Sequence, residues 1–145
     1  MDLDPALAWR TVSDDAFNSH IGPIRFARIG ENRWQSRLEL LPHHMNLGGV
    51  CHGGVYMSLS DTTMGIAAHE ASQGKRSATI DYQSHFLAAA KLGQTVVCTA
   101  RANRVVSGLA FMECELEAGG RLCMRASGIW KALSNPKARP GDGQV

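Results

Sequence analysis

The stretch "HHMNLGGVCHGGVYMSLSDTTMGIAAHEA", residues 43–71, decides how the rest of the chain is read. Its first twelve positions hold three histidines, one asparagine and four glycines. From Gly53 onward the pattern turns apolar or small nearly all round, and it runs long enough for one helix. A helix of that composition is expected to be buried on most of its sides. The polar, glycine-rich loop thus leads directly into the positive end of a buried helix.

Working outward, Ser13 is read as the cap of a short helix through Phe17, ended by Gly22 and Pro23. In "IRFARIGENRWQSRLELL", Trp34, Ser36, Leu38 and Leu40 alternate with Arg33, Gln35, Arg37 and Glu39. That period of two, with Gly30-Glu31-Asn32 as the turn, reads as a hairpin. Pro42 ends the second strand. On the other side "SQGKRS" breaks the helix, and "SATIDYQSHFL" alternates Ala78, Ile80 and Tyr82 against Thr79, Asp81 and Gln83. Strands follow over 94–106, then "LAFMECELEA" and "RLCMRASGIWKAL", joined by Ser107-Gly108 and Gly119-Gly120. The composition of residues 134–145 reads as a flexible tail. The expected fold class is α+β: one domain over residues 1–133, with a long buried helix wrapped by a curved antiparallel sheet.

The totals limit the functions. A chain of 145 residues with 44% hydrophobic and 19% charged residues fits one globular domain. A net charge of +2, without a basic block interleaved with aromatics, gives no support for nucleic-acid binding. Every apolar run is interrupted, so no membrane span is expected. The acidic start "MDLDPALAWR" does not read as a signal peptide, which points to the cytoplasm. Cys51, Cys98, Cys114 and Cys123 form no CxxC pair and read as reduced, packed thiols.

Asp61 stands out as the only charged side chain between Gly53 and Ala68. Its neighbours one helical turn away are Met57, Ser58, Met64 and Gly65, and none is a cation. Desolvation there would raise its pKa and suit a general base or nucleophile. The alternative is a solvent-facing acid on a thin polar side with Ser60, Thr62 and Thr63. At the helix start, amides lack internal partners and glycine lets a ligand approach, so the Gly53 or Gly54 N–H is suited to polarising a carbonyl. Gly53 and Asp61 lie eight positions apart, roughly 12 Å along a helix. One helix cannot bring both within ~3 Å of one carbonyl. If both act, Gly53 of one chain meets Asp61 of a second, antiparallel chain, and the active unit is a dimer.

Other chemistries fit less well. His43 and His44 are adjacent and His52 is eight positions on, which is not ligand spacing, so no metal is expected. The GK[ST] ending of a phosphate loop and the GxSxG of a serine elbow are both missing.

The combination His44-x-Asn46-x-x-Gly49-Val50-x-His52-Gly53-Gly54, with Asp61 beyond it, resembles the hotdog-fold acyl-CoA thioesterases of the PaaI-like branch. The resemblance extends through "TIDYQSHFLAAAKLGQTV" and covers roughly residues 20–133. It implies a dimer with a continuous sheet, often paired into a tetramer. It implies that the Gly53 N–H holds the thioester oxygen and that His52 shapes the turn. Asn46 would bond near the carbonyl or the water, the partner's Asp61 would be base or nucleophile, and Thr79 would help position water. Gly54 and His44 are expected to support substrate binding. Arg76, Arg101 and Arg104, with Lys75 and Lys91, are basic residues for the phosphates of coenzyme A. Coenzyme A enters as part of the substrate, with no separate cofactor. Two rival classes remain: a hotdog enoyl-CoA hydratase or dehydratase, and a non-catalytic acyl-CoA-binding module.

Overall fold

The structure is a computed structural model that describes residues 1–12 and 16–133. In chain order the elements are β1 (Arg10–Val12), α1 (Phe17–Ile21), β2 (Ile24–Gly30) and β3 (Arg33–Glu39). A single 3-10 turn (Pro42–His44) precedes α2 (Gly53–Ala71). Then come β4 (Ser77–Phe86), β5 (Thr95–Val106), β6 (Leu109–Ala118) and β7 (Arg121–Ala132). The strands form one seven-stranded antiparallel sheet in the order β1-β2-β3-β5-β6-β7-β4. The sheet curves over α2, so the expected α+β arrangement is the one present.

The meander follows from its turns. Ser107-Gly108 and Gly119-Gly120 each place two consecutive residues at positive φ. That backbone matches the twist of the flanking strands and closes two-residue hairpins. The sheet's inner face is apolar: Leu38 on β3, Val96, Cys98 and Ala100 on β5, Met112 and Leu116 on β6, and Met124 and Trp130 on β7 are all buried. Each fully buried side chain of leucine size contributes about 1.5–3 kcal/mol relative to exposure.

Four readings of the sequence change. The segment Arg10–Val12, not anticipated as a strand, pairs with Ile24–Phe26 as β1. Helix α1 occupies Phe17–Ile21 rather than ending at Phe17. The expected Ser13 cap and the 134–145 tail both lie outside the described residues. Helix α2 is not buried on most sides within this chain. Its buried residues Tyr56, Leu59, Ser60, Thr63, Met64, Ala67 and Ala68 form one stripe at helical spacing. Met57 and Asp61 face away and are exposed. A helix of Gly, Ala, Ser and Thr has almost no apolar contrast between its faces, so composition alone could not separate them.

The fourth change concerns β4. Strict alternation would put Thr79 and Tyr82 on opposite faces. The register shifts between Thr79, opposite Trp130, and Asp81, opposite Ile129, which leaves Ile80 as a bulge. The extra residue inverts the phase. Thr79 and Tyr82 therefore both face α2, and Ile80 is pushed outward at 56% exposure.

Candidate active site

The loop from Met45 to His52 is held by its own polar groups. The Asn46 side-chain oxygen accepts from the backbone N–H groups of Gly48 (2.8 Å) and Val50 (3.3 Å). Gly49, at φ +74°, makes the return that other residues would resist. These bonds occupy the Asn46 oxygen, while its Nδ2 has no partner among the described residues and remains a donor.

His44 is buried and joins three segments. Its Nδ1 accepts from the Leu41 N–H at 2.9 Å, and its Nε2 donates to the Ile21 carbonyl at 2.8 Å. Its own carbonyl accepts from the His52 N–H at 2.9 Å. With both ring nitrogens occupied, His44 anchors the loop and reaches a substrate only through it. Burial holds its pKa below the ordinary value, aided by neighbouring His43 and opposed by the Ile21 carbonyl.

His52 is the N-cap of α2. Its Nδ1 accepts from the Gly54 N–H at 2.9 Å. This separates the two glycines that the sequence left equivalent. The Gly54 N–H is committed to the cap, whereas the Gly53 N–H has no partner among the described residues. It is the available donor at the positive end of a 19-residue helix. The Phe86 ring from β4 lies over it, so a Cβ at position 53 would sit 3.1 Å from Phe86 Cε1.

Two turns further along, Asp61 is exposed on the side of α2 that meets β4. The desolvation expected from its helical neighbours is not found within the single chain. Thr79 Oγ1 donates to Asp61 Oδ1 at 2.8 Å, while Oδ2 is unpartnered among the described residues. Beside this pair, Tyr82 and Ser60 share a 2.6 Å hydroxyl contact, and Ser60 donates to the Met57 carbonyl. Two side-chain bonds thus tie α2 to β4, one on each side of the Ile80 bulge.

The remaining candidates divide. Arg76 lines the cleft that contains Asp61 and Thr79. Arg101 is paired with Glu113, and both it and Arg104 lie on the sheet face turned away from α2. Cys51, though next to His52, is buried, and its thiol is pushed up to about 11, chiefly by that burial. Its sulfur contacts the His52 carbonyl rather than the imidazole, so it is not an activated nucleophile. Trp34 belongs to the core and donates to Glu70. Trp130, which sequence reasoning did not single out, lines the Asp61 cleft. Its placement depends on Gly65, a partner distant in sequence.

Residues 48–124, from within the glycine loop to β7, match the thioesterase superfamily. Conserved protein PA5202 from Pseudomonas aeruginosa is 30% identical, with a TM-score of 0.75 over 83% of this chain and 95% of that one. The PaaI protein of the E. coli phenylacetic acid degradation operon is 20% identical, with a TM-score of 0.73 over 80% and 83% of the two chains. The Streptococcus mutans protein smu.793, solved bound to acetyl-CoA, is 19% identical, with a TM-score of 0.66 over 73% and 85%. With the fold, the loop-to-helix junction and the matched segment in agreement, this chain belongs to the thioesterase superfamily and has its hotdog fold.

Proposed function

We propose that this protein hydrolyses an acyl-CoA thioester to the free acid and coenzyme A, at two equivalent sites in a homodimer. The observation that carries the proposal is the unpaired Gly53 N–H at the start of α2, with the Thr79-held Asp61 carboxylate two turns along the same helix. Their separation of roughly 12 Å requires the acid to come from the partner chain. The edge strand β4 supports that arrangement. It spans ten residues, lies at the end of the sheet, and carries exposed Ile80 and Phe86. Pairing two such edges would extend the sheet across the dimer, and two dimers would form a tetramer. The S. mutans relative bound acetyl-CoA, a thioester of the class proposed here.

In this mechanism the thioester oxygen rests on the Gly53 N–H, which stabilises the negative charge as the carbonyl becomes tetrahedral. The partner's Asp61 either takes a proton from water or attacks the carbonyl to give an anhydride. Thr79 fixes one carboxylate oxygen and leaves the other to act. The Asn46 amide is a second donor, for the carbonyl or the water. With water as nucleophile, collapse expels the thiolate of coenzyme A, which takes up the proton removed from water. With Asp61 as nucleophile, the thiolate leaves as the anhydride forms. Water then splits the anhydride, releasing the acid, freeing the carboxylate and supplying the thiolate's proton.

The test is thiol release from a saturated acyl-CoA, which no hydratase can act upon. Wild type should release free thiol. Asp61→Asn should lower the rate by about 10²–10⁴-fold without loss of fold. Near wild-type turnover by that variant would refute the proposal, and binding without turnover by wild type would favour an acyl-CoA-binding module.

A further inference from the structure

We propose that the cleft beside Asp61 holds the far end of the acyl group and that this end is a carboxylate, so the substrate is the monothioester of a short dicarboxylic acid. The inference rests on the thioesterase reading above and specifies its substrate. The cleft holds about 430 Å³ and is lined by Asp61, Gly65, His69, Arg76, Thr79 and Trp130, among others. That volume lies within the usual range of small-ligand sites.

Trp130 provides the first argument. It is 2% exposed, yet its Nε1 has no hydrogen-bond partner among the described residues and is not sealed away from the cleft. A Cβ at position 65 would stand 3.3 Å from that nitrogen, so Gly65 leaves the space before it open. That N–H opens onto the cleft, where a ligand acceptor can meet it in place of water. The other two tryptophans have their acceptors: Trp34 donates to Glu70 at 2.7 Å and Trp9 to the Asp4 carbonyl at 2.9 Å.

Arg76 makes the acceptor an anion. Arg76 is a residue of the same cleft, and its side chain takes part in no ion pair among the described residues. A guanidinium is matched in shape and charge to a carboxylate. His69 stands at the same end, its ring held by donation from Nδ1 to the Lys75 carbonyl at 2.9 Å.

Spacing sets an upper limit on the length. Asp61, Gly65 and His69 occupy successive turns of α2; Trp130 meets the middle turn, and the far end of the cleft lies roughly 12 Å from Asp61. Contacts of ~3 Å at the reacting carbon and at the terminal group leave at most about 6 Å between them. That is the span of about five carbon–carbon bonds, so an adipyl group is the longest that fits. Pantetheine, with its two amides, is longer than this interval. Arg76 is therefore assigned to the acyl end rather than to the phosphates of coenzyme A.

The experiment compares kcat/KM of the full chain for adipyl-CoA, hexanoyl-CoA and 6-hydroxyhexanoyl-CoA, with NMR of the three indole N–H signals during addition of adipate. Adipyl-CoA should be preferred over hexanoyl-CoA by roughly ten- to a hundredfold. Arg76→Gln should bring that ratio close to unity, mainly through KM. Adipate should shift the Trp130 indole signal and leave those of Trp9 and Trp34 in place. Thiol release without preference for adipyl-CoA, or with preference for the hydroxyl-terminated ester, together with an unmoved Trp130 signal, overturns this inference and leaves the thioesterase reading intact. Failure to release thiol from any of the three esters overturns that reading, and this inference with it.

Discussion

His44 illustrates how a single side chain fixes a loop through its neutral form. As the neutral ring, Nδ1 accepts from the Leu41 N–H while Nε2 donates to the Ile21 carbonyl. Protonation removes the acceptor. With the folded pKa held below 6.5, an unfolded chain takes up a proton that the folded chain refuses. This contribution to stability is complete above that ordinary value and is lost as pH falls through it towards the depressed one. Urea unfolding of wild type should give a lower stability at pH 5.5 than at pH 7.5, conditions near which only histidines titrate strongly (about pH 5–8). His44→Gln should show a smaller difference between the two conditions, and an unchanged difference would refute the account. At this scale the sequence was informative where a residue broke its surroundings. Asp61 stood out as a charge among small and apolar neighbours, and His52-Gly53-Gly54 as a dense polar junction. Trp130 did not stand out, because an indole on a strand says nothing about its N–H until Gly65 is known to leave space before it.

The elements most clearly legible were α2 and the strands after it, since their boundaries are marked by glycine turns and by changes of period. What strand alternation could not supply was the Ile80 bulge. The sequence "TIDY" alternates without interruption, and only pairing with β7 reveals that one residue is left over. The consequence is functional in position: Thr79 and Tyr82 both meet α2, through Asp61 and Ser60. The start of α2 offers a direct test at this scale. Gly53 is the first helical residue and His52 before it is extended, at φ −64° and ψ 135°. Proline is well accommodated at such a position and follows such a residue readily. Gly53→Pro therefore deletes the N–H while retaining the helix, and the exposed Phe86 ring has room to move. It should lower kcat by about 10²–10³-fold with unchanged helical circular dichroism. Activity close to wild type would exclude the Gly53 amide as the oxyanion donor.

For the whole molecule, the proposed mechanism assigns the two halves of the site to different chains, because Gly53 and Asp61 lie roughly 12 Å apart along one helix. A mixture of Gly53→Pro and Asp61→Asn chains, each inactive alone, separates the alternatives. In a mixed dimer one site carries both lesions and the other carries neither. Random exchange of equal amounts should restore about a quarter of wild-type activity. If both groups acted within one chain, mixing would restore none. The sequence raises this partnership through helix length alone, on the condition that both residues act. It could not show which residues of α2 the single chain leaves exposed, Met57 and Asp61, because that depends on the arrangement of the strands around it.

Strand β4 leaves one consequence outside catalysis. Its outward backbone N–H and C=O groups, along ten residues at the sheet's border, are a template for any extended polypeptide. If the chain dimerises through this edge as proposed, a newly made chain presents the template before it finds its twin. Yield in overexpression then becomes a race between correct association and indiscriminate strand addition, with concentration accelerating both.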